Sequence, residues 1–260
     1  MNNKSIGERF EELVTIVERL RAPDGCPWDR EQTSASLLPY LLEETYEVIE
    51  SVDDRNWEVL KEELGDLLLH VVFQASIATD SERFNINESL KIVNEKLVRR
   101  HPHVFGDTKA DAAFNAKQNW EAEKQKEKKR ESRLDGVPVN LPGLVRAQRL
   151  QEKAAYVGFD WEKIESVWEK VNEELEEIKL AQQENNKESI EEEIGDTIFA
   201  LVNLARFLGI PAEDALRRTN NKFINRFKMI EKELKRRGKT LEESSLDEMD
   251  KIWNAVKRKS

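Results

Sequence analysis

Four acidic residues in the C-terminal half have the spacing of a metal site. Glu174 and Glu177 form one pair, and Glu193 and Asp196, within Glu-Ile-Gly-Asp, form the second. At a spacing of i,i+3, two carboxylates on a helix lie about 60° apart and point the same way. The 16 residues from Glu177 to Glu193 are enough to finish one helix, turn at Asn185-Asn186 and return on another. Two antiparallel helices would bring the four carboxylates together as an oxygen-only site suited to Mg²⁺, with Mn²⁺ a possible substitute. The same pattern occurs 130 residues earlier, as Glu44, Glu47, Glu63 and Asp66. Both second pairs lead into apolar helix, and carboxylates at the edge of a core are costly unless paired or metal-bound.

Zinc and iron fit poorly. The chain has three histidines and one cysteine and lacks the Glu-x-x-His pairs of di-iron bundles. His101 and His103 flank Pro102 and read as a helix stop, and His70, four residues after Asp66, reads as a core histidine.

Basic and aromatic residues repeat as well. Lys222 and Arg226 correspond to Lys96 and Arg100, and Trp253 and Lys257 to Trp120 and Lys124, all at i,i+4. A hard cation beside such cations suits a polyphosphate, and an aromatic can pack on a base. No Gly-x-x-x-x-Gly-Lys-Ser/Thr loop is present, which excludes a P-loop NTPase.

The supporting elements are predicted to be helices throughout. Of the 260 residues, 36% are charged and 7% aromatic, the profile of long amphipathic helices, and no strand-like alternation occurs. Helices are expected over about 8–21, 36–52, 57–78, up to 100, 111–130, 144–153, 162–184, 187–208, 211–238 and from Ser245, whose Glu248 completes a capping-box pattern. The helix after Asp66 is apolar on most faces and is expected to be buried between others. Gly136, Pro138, Pro142 and Gly143 mark a linker, so the chain reads as an N-terminal domain at 1–133, a linker at 134–143 and a C-terminal domain at 144–260.

The formal net charge of −10 argues against a nucleic-acid or anionic-membrane binder. The basic run at 124–133 is interrupted by Glu127 and Glu131 and reads as a solvated helix end. A lone Cys26 points to a reducing compartment. With no apolar run approaching a membrane span, a cytoplasmic protein is expected. A non-catalytic helical interaction module is the competing reading of the acidic faces.

Further motifs make the pattern specific. Glu-Glu-x-x-Glu followed by Glu-x-x-Asp occurs twice, accompanied by Gly-Cys-Pro-Trp-Asp (25–29), Arg-Arg-His-Pro-His-Val-Phe (99–105) and Val-Gly-Phe-Asp-Trp (157–161). In these the chain resembles the MazG nucleoside triphosphate pyrophosphohydrolases over nearly its whole length. The resemblance implies an all-α, Mg²⁺-dependent enzyme that hydrolyses NTPs and dNTPs to monophosphate and pyrophosphate. It also implies a homodimer whose bundles pack across subunits.

The two copies differ where substrate contacts are expected. Lys170, four before Glu174, can reach a phosphate, whereas its counterpart is Tyr40. Asn203, seven after Asp196, offers a donor and an acceptor to a sugar or base, whereas its counterpart is Phe73. The C-terminal half is therefore expected to be the main catalytic domain, with Glu173 or Glu193 as the general base. Lys170, Lys222, Arg226 and Lys257 would neutralise the phosphates. Trp253 would pack on the nucleoside, giving broad base acceptance.

Overall fold

The structure, a computed structural model, describes residues 4–106 and 131–258, and every regular element among them is a helix. The chain separates into two compact units, residues 1–121 and 122–260.

The first unit contains α1 (Ile6–Arg21), α2 (Pro27–Glu31), α3 (Leu38–Asp53), α4 (Trp57–Asp80), α5 (Ile86–Arg100) and α6 (Pro102–Phe105). Ser5 and Glu8 close a reciprocal capping box on α1, and Asn85 and Glu88 do the same on α5, satisfying amide groups that a helix start leaves unpaired. Helices α3 and α4 form the hairpin expected from the carboxylate spacing. Its turn uses Arg55 at φ 54° and Asn56, whose side chain accepts from the Val59 amide. The loop at 22–29 is tighter than its breakers suggested and includes α2. A Cβ at Gly25 would collide with the carbonyls of Arg19 and Leu20, so only glycine fits. Val17, Leu37, Val72 and Phe73 form the core.

The second unit contains α7 (Gly143–Ala155), α8 (Ile164–Gln183), α9 (Lys187–Phe207), α10 (Ala212–Arg236) and α11 (Leu246–Lys257). The α8–α9 turn falls at Asn185-Asn186: Asn185 takes φ 53°, and Asn186 caps α9 by accepting from the Glu188 and Ser189 amides. Val167 and Val171 of α8 pack on Ala200 and Leu204 of α9. Helices α10 and α11 close around Ile230, Leu234 and Ile252. The segment read as a linker contacts this unit, because Leu134 lines the unit's cavity, and just ahead of it the Arg133 carbonyl accepts from Lys153 Nζ at 3.3 Å.

Two expectations are corrected. Helix α4 is not buried all round: Val72, Phe73, Ala75 and Ala78 are buried, but Leu64, Leu68 and Val71 are on an open face. Ile194, Ile198 and Leu201 repeat that stripe on α9 at the same 130-residue offset, and all six are 40–52% exposed. The second correction concerns α11. Ser245 accepts from the Glu248 amide as expected, but the Glu248 carboxylate is held by Lys239 at 2.8 Å and Arg237 at 3.5 Å, so only half the capping box forms. The helix expected at about 111–130 lies outside the described residues.

Candidate active site

Helices α8 and α9 bring all four C-terminal carboxylates to the middle of their hairpin. They do not form a single four-membered cage. Glu174, Glu193 and Asp196 make one set with oxygens within 4.8 Å of one another, and Glu173, Glu174 and Glu177 make another. Glu174 belongs to both and is 4% exposed. Lys170, one turn earlier on α8, reaches Glu174 Oε1 at 2.5 Å and Glu173 Oε1 at 2.8 Å. Hydrogen bonds that Lys170 donates to Glu173 and then to Glu174 hold its ammonium protonated well above the ordinary lysine range. Glu174 Oε2 is enclosed and has no hydrogen-bond partner. Burial, followed by the charges of Glu193 and Glu174, pushes the Glu177 carboxyl up.

This donor set fits a hard divalent cation. It consists of carboxylate oxygens on two rigid helices, one buried oxygen lacks a partner, and the crowded negative charge is only partly offset by one lysine. Glu174, Glu177, Glu193 and Asp196 are the residues that could hold it.

A cavity of about 490 Å³ opens beside the cluster. Lys170, Glu174 and Asp196 line one end, while Leu150, Phe159, Trp161 and Phe199 supply apolar and aromatic wall. Asn203, 4% exposed, also lines it, as do Gln151 and Arg206. Gly158 at φ +86° turns the chain ahead of Phe159-Asp160, so the Val-Gly-Phe-Asp-Trp motif forms part of the cavity wall. Asp160 accepts from Arg206 Nη1 at 2.9 Å and Nη2 at 2.5 Å in a bidentate pair. Arg206 in turn donates from Nε at 2.9 Å and from Nη2 at 2.7 Å to Asn203 Oδ1. The acceptor expected of Asn203 is thus already used inside the protein, and its donor remains.

Phe159, Asp160, Trp161, Gln151, Phe199 and Arg206 had no assigned role in the sequence reading. The motif at 157–161 was the one signal that could have drawn attention to the first three. The Asp160–Arg206 pair spans 46 residues and has no local signature.

The basic and aromatic residues expected to complete this site are placed elsewhere within the unit. Lys222 and Arg226 are on α10, and Trp253 and Lys257 on α11; none of them lines the cavity. Arg226 lies over the Trp253 ring at 5.6 Å, and Phe223 packs on the same ring at 5.3 Å. Arg226 Nε is buried without a hydrogen-bond partner.

In the first unit Glu44, Glu47 and Glu63 converge within 4.8 Å, and Asp66 adds its charge from α4. Burial, followed by Asp66, Glu47 and Glu63, pushes the Glu44 carboxyl up to about 7. Burial, followed by Glu47 and Asp66, pushes Glu63 up as well. Tyr40 stands where α8 has Lys170 and packs edge-on against Trp28 at 6.0 Å. Phe73, the counterpart of Asn203, is in the core. His70 remains outside the carboxylate set; burial lowers its pKa, and its Nδ1 has no partner. Lys96 is half-buried and Arg100 buried on α5, while Trp120 and Lys124 lie outside the described residues.

Comparison with known proteins agrees with the duplication. A model described as the MazG nucleotide pyrophosphohydrolase domain matches twice, at residues 32–105 and 162–230. A Thermotoga maritima protein named nucleoside triphosphate pyrophosphohydrolase/pyrophosphatase MazG is 48% identical over 256 residues, covering 98% of each chain. An Escherichia coli K12 protein named nucleoside triphosphate pyrophosphohydrolase is 43% identical over 256 residues, covering 96% of this chain and 97% of that one. A Mycobacterium tuberculosis protein of the same name is 40% identical over 154 residues, covering 58% of this chain and 46% of that one. With two matched repeats, full-length similarity and the carboxylate hairpins expected of each repeat, the chain is an enzyme that belongs to the MazG family of nucleotide pyrophosphohydrolases.

Proposed function

We propose that the second unit hydrolyses nucleoside and deoxynucleoside triphosphates at the α–β linkage, giving monophosphate and pyrophosphate with Mg²⁺, or Mn²⁺ in its place. The observation that carries this reading is Glu174. It is a buried carboxylate shared by both acidic sets, with one oxygen on Lys170 and the other unpaired, at the end of a nucleoside-sized cavity. The names of the relatives agree with it.

A divalent cation bound there supplies Lewis-acid polarisation and neutralises phosphate charge. The chain's own residues do the rest. Glu174, Glu177, Glu193 and Asp196 fix the cation position from two packed helices. Lys170 meets a phosphate oxygen as the charge of pyrophosphate develops. Glu173 or Glu193 takes the proton from the attacking water. Glu173 is paired with Lys170, and it is released toward the water once the lysine turns to phosphate. The apolar walls take the nucleoside and accept purines and pyrimidines alike.

The first unit keeps a carboxylate set but has Tyr40 and Phe73 where the second has Lys170 and Asn203, so we assign it a structural or weaker role. The open stripes on α4 and α9 suit burial against a second copy, and we propose a homodimer, in which Lys222, Arg226, Trp253 and Lys257 complete a site across subunits. No single described helix is long and apolar enough to cross a membrane. We propose a cytoplasmic enzyme of nucleotide-pool control or housecleaning. Incubation with ATP and Mg²⁺ tests the reaction: AMP and pyrophosphate are expected in equal amounts, and ADP with phosphate, or no product from any common NTP or dNTP, would overturn it.

A further inference from the structure

Two amides line the second unit's cavity, and each is fixed by its protein partner so that one end remains for a ligand. Asn203 Oδ1 accepts two hydrogen bonds from Arg206, which Asp160 holds bidentately, so the Asn203 amide nitrogen is the end left for the cavity. Gln151 Nε2 donates to the Phe199 carbonyl at 2.8 Å, so its oxygen is the remaining end, and Oε1 is enclosed without a partner. Neither amide can turn over without breaking these bonds. An amide in solvent rotates and presents whichever atom a ligand needs; these two cannot.

We infer that the Asp160–Arg206–Asn203 relay, with Gln151 in the same cavity, reads the hydrogen-bonding edge of the nucleobase. This rests on the reaction proposed above and narrows its base range. The cavity accepts either ring size, but one fixed donor and one fixed acceptor suit only one order of acceptor and donor along the base edge. Cytosine and uracil have nearly the same shape with that order reversed: an amino group beside a bare ring nitrogen, against a carbonyl beside a ring N–H. The mismatched base sets donor against donor and acceptor against acceptor in a site shielded from water, where leaving a polar group unpaired is costly. In this reading Asn203 and Gln151 contact substrate, and Arg206 and Asp160 are positioning residues.

The N-terminal counterparts in the first unit agree with this division of labour. At the 130-residue offset Asn203 becomes Phe73, Arg206 becomes Ser76 and Gln151 becomes Arg21, so every member of the reader is absent there. Arg21 instead spends its donors on the Asp29 carbonyl and on Asp80.

The test is kcat/KM for CTP and for UTP, measured on the full-length protein and on two variants. The wild-type protein is expected to favour one of the pair by about tenfold or more. Asn203→Asp keeps an oxygen for Arg206 and replaces the donor with an acceptor, which leaves either base one matched and one mismatched contact, so the preference should collapse toward one. Arg206→Met frees the Asn203 amide to rotate, and the ratio should shrink several-fold toward one. A purely structural role would lower both rates together and leave the ratio unchanged. Equal kcat/KM for CTP and UTP in the wild type, or a ratio that neither variant alters, overturns the reader while the pyrophosphohydrolase reading stands. Failure to hydrolyse any NTP overturns both.

Discussion

Replacing Lys170 with methionine separates the two roles assigned to that residue. The stem is kept and the ammonium removed, so Glu174 loses the partner on its Oε1 while Glu177, Glu193 and Asp196 remain nearby. Breaking a fully buried ion pair by removing one partner costs about 3–5 kcal/mol. The Glu174 side chain is 5% exposed but that of Lys170 is 37% exposed, and solvent screening reduces the expected cost to about 1–3 kcal/mol. For a chain of this size that is a fall in Tm of about 3–9 °C. The deficit belongs to uncompensated negative charge, so a divalent cation at the carboxylates should shrink it. Activity should not return with it, because the phosphate contact is still missing, and a loss of about 10²-fold or more in kcat/KM is expected. The assay is thermal unfolding of wild type and Lys170→Met with EDTA and with saturating Mg²⁺, alongside pyrophosphate release. A variant as stable as wild type in EDTA, or one whose deficit Mg²⁺ leaves untouched, would refute the coupling between lysine and cation site.

Other expected outcomes follow from the same geometry. Glu44 is pushed up to about 7, so the folded state holds a proton between its ordinary value of 4.5 and about 7 that the unfolded chain has lost. Stability from this group should therefore fall as pH rises through that window; in EDTA the gap between Glu44→Gln and wild type should open in favour of the variant between pH 4.5 and about 7 and stay open above it, and Mg²⁺ should close it. Glu233 is drawn down to about 2 by hydrogen bonds from Arg236 and then Arg237, so its contribution is present above the ordinary carboxylate value and should be lost only as pH falls toward 2, with Glu233→Gln acid titrations checking the difference. Placing a charge on the open stripes, as in Leu68→Glu with Ile198→Glu, should shift a dimer to monomer by light scattering, while helicity by circular dichroism stays unchanged.

Much of the fold could be read because its determinants are local. Both turns end on an asparagine, Asn56 or Asn186, that caps the next helix, Asn185 is a residue that tolerates its positive φ, and both carboxylate pairs follow from helix spacing. What the sequence did not reveal depends on distant partners. Glu248 carries a capping-box spacing, but Lys239 and Arg237 from another part of the α10–α11 hairpin claim its carboxylate. The apolar run after Asp66 says that α4 packs on something; it cannot say which face a single chain covers. Asn203 was visible as a polar residue on the right face, yet its usable atom depends on Arg206 and, through it, on Asp160. Arg226 and Trp253 were read as separate contacts to phosphate and nucleoside; that they meet each other, and how they relate to the carboxylates, was not deducible from spacing.

The most direct test of the account is pyrophosphate release by the full-length protein carrying Glu193→Gln or Glu63→Gln, each changed separately. Both substitutions preserve shape and remove one charge from equivalent positions of the two carboxylate sets. The account expects Glu193→Gln to abolish nearly all hydrolysis and Glu63→Gln to leave most of it. Loss of activity with Glu63→Gln alone would contradict the assignment of catalysis to the second unit.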